Sequence, residues 1–173
     1  NSAKPHSSLT EKVLNREELL LLDAGIKYKR YCSDRTRTLS FDSDTISMGK
    51  VQKFKDPFKQ KIYDIVLKAQ EEAIKKVKVG VKIGELDRVA REVIREAGYG
   101  DYFVHSLGHG VGLDIHERPY INSRNETLLK EGMVFTIEPG IYLPNRFGVR
   151  IEDMILINYN GEVEVLSEYN NNI

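Results

Sequence analysis

The sequence predicts a mixed domain of helices and strands, on three observations. Apolar residues recur at helical spacing in two adjoining segments, residues 62–77 and 86–97. Runs rich in leucine, aromatic and β-branched residues flank that pair, at 19–23, 31–41, 133–143 and 147–157. Turn residues separate these runs, and Asn160-Gly161 is the clearest hairpin signal.

Residues 1–18 are polar, contain Pro5 and read as an extended lead-in. Four leucines followed by Asp23 read as a buried strand, and Ala24-Gly25 leads towards a turn placed at Tyr28-Lys29. Tyr31–Phe41 reads as the return strand, and residues 42–55 as a polar connection. Asp56-Pro57 has the form of a helix start, because Asp caps orphan N–H groups and Pro needs no acceptor in the first turn. Ile62, Ile65, Val66, Ala69, Ala73, Ile74 and Val77 then share one face, up to Gly80. A second helix begins near Gly84 with Leu86, Val89, Ala90, Val93, Ile94 and Ala97 inward, and Gly98 stops it. The charged residues between these positions read as solvated helix faces. Residues 105–116 read as a strand with a turn, and 118–132 as a loop. Met133–Leu143 reads as a strand interrupted at Pro139-Gly140, Pro144-Asn145-Arg146 as a turn and Phe147–Ile157 as another strand. Glu162–Leu166 returns after Asn160-Gly161.

A chain of 173 residues suffices for one domain with a real core. The formal net charge is zero, which gives no electrostatic case for nucleic acid or an anionic membrane. No apolar run approaches membrane-spanning length. The one cysteine, Cys32, excludes an internal disulfide and fits a reducing, cytoplasmic setting. The start at Asn1 lacks a signal-peptide pattern and an initiator Met, so the sequence is expected to be part of a longer chain.

Three of the four histidines, His105, His109 and His116, fall in one short stretch with Gly108, Gly110 and Gly112. Imidazoles at this density suit metal binding or proton transfer near neutral pH, and glycines let backbone approach a ligand. Two familiar motifs fail on context. The helical zinc motif needs Glu after the first His, where Ser106 stands, and the dinucleotide fingerprint needs Gly where Leu113 stands.

The carboxylates pose a second problem. A turn at Tyr28-Lys29 would set Asp23 opposite Asp34, and a turn at Asn145 would set Glu138 opposite Glu152 unless Pro139-Gly140 shifts the register. Directly opposed residues share a face about 4.5–5.5 Å apart, where like charges destabilise a sheet. A shared proton, pairing with Arg35, Arg37 or Arg150, or a bound cation would each relieve the repulsion. Four carboxylates and an imidazole suit divalent Mn, Co or Fe better than a structural zinc.

These residues resemble the pita-bread metallopeptidases, which include methionine aminopeptidase, Xaa-Pro aminopeptidase and Xaa-Pro dipeptidase. The matching motifs are Asn1-Ser-Ala-Lys-Pro-His6, Leu22-Asp23-Ala-Gly25, Tyr31-Cys-Ser-Asp34-Arg-Thr-Arg-Thr38, His105-Ser-Leu-Gly-His109-Gly-Val-Gly112, Ile115-His116-Glu117, Phe135-Thr-Ile-Glu138-Pro-Gly140 and Val149-Arg150-Ile-Glu152-Asp153. They cover nearly the whole chain in the family's order. Glu138-Pro-Gly-Ile-Tyr142, Gly148–Asp153 and His105 resemble the Xaa-Pro branch most closely. Lys29-Arg30 departs from the Gly that commonly precedes the Tyr, which should alter only a hairpin tip.

The resemblance implies an α+β pita-bread fold, a curved antiparallel sheet backed by helices. The family's catalytic domain has further elements before the position of Asn1, and its Xaa-Pro members usually add an N-terminal domain. Residues 1–173 are therefore expected to be a single catalytic domain lacking its first elements.

The resemblance further implies that Asp23, Asp34, His109, Glu138 and Glu152 hold two divalent ions (Mn, Co, Fe or Zn, with Mn favoured), Asp34 and Glu152 bridging them. A hydroxide bridging the ions would attack the bond between an N-terminal residue and proline, with Glu138 shuttling the proton. His116 would bind the peptide and the developing oxyanion, with His105 and His6 as further substrate-side groups and Arg150 bracing the bridging carboxylates. Cys32 reads as packing, and Tyr31 and Tyr142 as packing with pocket lining as the alternative. The expected partner is a peptide with proline at its second position, and the family leaves room for a homodimer of the full-length protein. Methionine aminopeptidase activity and a non-catalytic peptidase-like binding module are the alternatives.

Overall fold

The computed structural model describes residues 2–7, 10–40 and 48–167. Strands β1 (Leu19–Ala24) and β4 (Arg35–Ser40) pair antiparallel, and between them lies the short hairpin of β2 (Lys27–Tyr28) and β3 (Tyr31–Cys32). The chain reverses at Lys29-Arg30, where φ is +46° and +78°. Left-handed backbone at both central positions is the two-residue turn whose twist suits a hairpin. The turn falls one residue later than the sequence suggests, so Asp23 faces Thr36 and not Asp34. The expected Asp23–Asp34 opposition is thus corrected. Nor is β1 buried along its length: Leu19 is buried but Leu22 is 38% exposed, and β1 pairs only with β4 among the described residues. Phe41 and much of the 42–55 connection lie outside the described residues.

Helix α1 (Pro57–Lys76) starts as expected, with the Asp56 side chain accepting from the N–H groups of Phe58 and Lys59. Helix α2 (Ile83–Glu96) ends at Gly98, whose φ is +86°. The two helices pack on each other, and Ile62, Val66, Ala69, Ala73, Leu86, Ala90 and Ile94 are buried in one core with the sheet. Fully burying one of the Val, Leu or Ile side chains among them contributes about 1.5–3 kcal/mol.

The main sheet has the order β11-β10-β7-β5-β6 and is antiparallel throughout. Its strands are β5 (Gly108–Gly110), β6 (Glu117–Ile121), β7 (Val134–Ile137), β10 (Asp153–Ile157) and β11 (Val163–Val165). Strand β6 lies where the sequence suggests a loop. Pro119 disguises it, but β6 is the outermost strand, where a missing N–H breaks no ladder.

The separate hairpin β8 (Gly140–Leu143) and β9 (Phe147–Arg150) continues β7 and β10. The 147–157 run, expected as one strand, is broken at Ile151-Glu152, just as its partner is broken at Glu138-Pro139. Ile137 pairs with Asp153 on one side of the gap and Gly140 with Arg150 on the other, so the register passes through unshifted. Because strand side chains alternate, one parity of residues faces each side. Ile137, Ile141, Val149, Ile151 and Ile155 lie in the apolar core. Thr136, Glu138, Arg150 and Glu152 share the opposite face.

Candidate metal centre

The site forms where that face of the sheet meets the β1/β4 pair. Asp23 sits near the end of β1, and Asp34 immediately precedes β4, its N–H donating to Met154 Sδ at 3.1 Å. Gly25, between them in sequence, has no room for a side chain: a Cβ there would stand 1.9 Å from the Ser33 carbonyl oxygen. The glycine therefore lets the two strands close on each other beside both aspartates.

His109 lies in β5. Its N–H donates to Thr136 Oγ1 at 3.1 Å, and its Nδ1 lies 3.1 Å from the carbonyl of Gly110. A carbonyl only accepts, so Nδ1 carries the proton and Nε2 keeps its lone pair. Nε2 stands 3.3 Å from Glu138 Oε1 and 3.6 Å from Asp34 Oδ2. The Glu152 carboxylate receives the Thr36 hydroxyl at 2.6 Å. Asp34, His109 and Glu152 each bring one ligand atom within 4.8 Å of the others. Asp23 is turned to Arg150, whose Nη2 donates to its Oδ2 at 2.5 Å.

Electrostatics follows from this crowding. Burial pushes the Asp34 carboxyl up to about 6, and the charge of Asp23 adds to the effect. Burial, with Asp34 and Asp23 adding, pushes Glu138 up to about 8 despite the guanidinium of Arg150. Burial and the neighbouring Glu138 and Asp34 raise Glu152 well above the carboxylate range. Burial lowers His109, which favours the neutral imidazole a metal would need. The three carboxylates repel one another as anions and so bind protons more tightly than free carboxylates do. Divalent cations would replace those protons, and the oxygen-rich set with one imidazole fits them.

Around this cluster stand the other residues singled out in the sequence. His116 is exposed, with its ring centroid 4.3 Å from that of His109. His105 is half-buried. Its Nδ1 lies 2.7 Å from the Ser106 carbonyl and its Nε2 2.8 Å from the Tyr142 hydroxyl. Nδ1 therefore donates, and Nε2 accepts from Tyr142. Burial lowers His105 to about 4, so it is neutral near pH 7. Arg150 donates to the Tyr142 oxygen at 3.0 Å and to the Pro5 carbonyl at 2.8 Å. The Pro5 contact ties the lead-in to the site. His6 itself is exposed, near enough for its charge to oppose protonation of His105.

Several contributors are missing from the sequence reading. Tyr142 is buried, as packing requires, but its hydroxyl also bridges Arg150 and His105. Thr36 bonds both Glu152 and, at 3.3 Å, Arg150 Nε; its place two residues after Asp34 was the available signal. Asp87 and Arg91 read as a solvated helix face. Instead, buried Asp87 accepts from Leu107 N–H at 3.1 Å, and Arg91 donates to the carbonyls of Phe103 and His105, both at 2.9 Å. Helix α2 thus grips the segment that carries His105.

Residues 1–159 match the sequence pattern of Metallopeptidase family M24. A Xaa-Pro dipeptidase of Pyrococcus furiosus is 51% identical over 160 residues, covering 92% of this chain and 43% of that protein. The solved prolidase from Pyrococcus furiosus superimposes with a TM-score of 0.87 at 48% identity, over 98% of this chain and 47% of that one. An X-Pro aminopeptidase from Thermotoga maritima gives 0.86 at 44% identity, over 99% and 46%. The chain therefore spans less than half the length of each of these relatives.

Proposed function

The chain belongs to metallopeptidase family M24 and has its pita-bread fold, and from that premise we propose that the whole protein hydrolyses the bond between an N-terminal residue and proline. The observation that carries this reading is the convergence of Asp34, His109, Glu138 and Glu152, with Asp23 beside them on Arg150. In our reading these five residues hold two divalent ions, with Mn favoured. When bound, the ions supply charge neutralisation and activation of water for attack on a peptide carbonyl.

The remaining roles fall to the chain's own groups. Glu138, whose carboxyl holds a proton unusually tightly, is placed to take a proton and release it to the leaving nitrogen. His116, exposed at the rim against His109, offers an imidazole N–H to the peptide carbonyl as negative charge develops. His105 and Tyr142 form a fixed wall. Proline has no N–H to donate, so a pocket for it must select ring shape and not a hydrogen bond. In our reading His6, on the segment tied down through Pro5, is a further substrate-side group.

The full-length protein, supplied with Mn, should cleave Xaa-Pro peptides and leave Met-Ala peptides nearly untouched. A preference for Met-Ala would make it a methionine aminopeptidase. Bound metal with no hydrolysis of either would make it a binding module.

A further inference from the structure

We propose that Gln70 of helix α1 is a positioning residue for both glutamates of the metal centre. The proposal rests on the reading above, in which Glu138 and Glu152 hold metal. Gln70 is fully buried, on the helix face that also presents Val66, Ala69 and Ala73 to the core. Its amide nitrogen donates to the carbonyl of Ile137 at 3.1 Å and to that of Ile151 at 3.2 Å. These are the carbonyls that immediately precede Glu138 and Glu152.

The sheet explains why this matters. Strand pairing lapses at both glutamates, so the usual ladder does not hold their backbones. Pro139, opposite Ile151 in the continuous register, has no N–H to offer it. The N–H of Glu138 turns instead to Leu107 O at 2.7 Å, and that of Glu152 to Thr36 O at 3.1 Å. Each peptide plane leading into a glutamate is thus fixed at both ends, by Leu107 or Thr36 at its N–H and by Gln70 at its carbonyl. One side chain sets the relative tilt of two peptide planes, and with it the directions in which both carboxylates leave the sheet.

The orientation of the amide is unambiguous, because flipping it would set oxygen against two carbonyls. The orientation has a cost: Gln70 Oε1 is buried with no hydrogen-bond partner. An apolar residue at this position would avoid that cost but take the side-chain amide away from both carbonyls, leaving Ile137 O to its strand partner Asp153 and Ile151 O opposite Pro139. Groups that orient metal ligands from behind typically change metal affinity or activity by about 10- to 100-fold when removed.

The test compares Gln70→Leu, Gln70→Glu and Val66→Ala in the full-length protein. Val66→Ala opens the same core one turn earlier and touches neither carbonyl. Gln70→Leu should weaken Mn affinity, measured by equilibrium dialysis, by about 10- to 100-fold. It should also lower kcat at saturating Mn with KM little changed. Gln70→Glu, which keeps the shape and at most one donor, should fall between Gln70→Leu and wild type. Val66→Ala should melt at a lower temperature yet keep wild-type Mn affinity. If Gln70→Leu does not fold, Gln70→Glu against Val66→Ala decides. The proposal is overturned if the Gln70 variants bind Mn as wild type does, or if affinity merely follows melting temperature across all three. Undiminished Mn affinity in Glu152→Gln would instead overturn the metal assignment itself.

Discussion

Arg150 reaches Asp23 with one terminal nitrogen, at 2.5 Å, and places the other between the Tyr142 hydroxyl and the Pro5 carbonyl. Asp23 is 41% exposed at its side chain while Arg150 is 3% exposed, so Arg150 is the buried member that the surroundings hold in place. Arg150→Ala should therefore do more than remove one ion pair. It leaves Asp23, Tyr142 and Pro5 without their common partner, and Mn affinity should fall about 10- to 100-fold, as for other groups that orient ligands. Arg150→Lys cannot serve all three acceptors from one fork and should recover little. Titration of both variants with Mn checks this, and a lysine variant equal to wild type would show that charge alone suffices.

His116→Ala should leave metal content intact, because the ring faces His109 from the rim and is exposed. Turnover should fall on the order of a hundredfold, the usual effect of losing one donor to a developing oxyanion. Metal analysis alongside kcat separates the outcomes, since lost metal would make His116 a ligand.

The pH dependence of the metal-free protein has a definite sign. Asp34, Glu138 and Glu152 have raised folded-state values, so the stability they contribute is present at low pH and is lost as pH rises through those values. His105 and His109 have lowered values and act oppositely, but only below their ordinary 6.5. Between 6.5 and Glu138's value of about 8 the acids alone decide. The melting temperature in chelator should fall across that window, and Glu138→Gln should flatten the fall. With Mn present the trend should reverse, because metal binding displaces the protons. A melting temperature in chelator that rises over this range would remove the carboxylate cluster as its cause.

Asp87→Ala should destabilise the chain by about 2 kcal/mol or more, since it strips a charged acceptor from the buried Leu107 N–H and from Arg91. Protection of the Leu107 amide against hydrogen exchange should drop with it. Unchanged protection there would mean that the His105 segment is held by other contacts.

How much of this is legible in the sequence varies by residue, for physical reasons. Both helices are legible, because Asp56, Gly98 and the apolar spacing are local signals. The Glu138–Glu152 opposition is legible too, since the break at Pro139 turns out to leave the register unshifted. The first hairpin is legible as a pair of strands but its register is not, because Lys29-Arg30 carries no residue that favours positive φ. Strand β6 hides behind Pro119. Gln70 is illegible for another reason. It interrupts an apolar face, and its partners are carbonyls 67 and 81 residues away, which no side-chain pattern encodes.

The unshifted register makes the length of the chain between the two glutamates part of the chemistry. Side chains alternate along a strand, so adding or removing one residue within β8 or β9 would turn one glutamate from the face it shares with Arg150 to the core. At the tip, Pro144-Asn145-Arg146, the same change only resizes a loop. Variation in length across related proteins should therefore concentrate at the tip, while the count along each strand stays fixed.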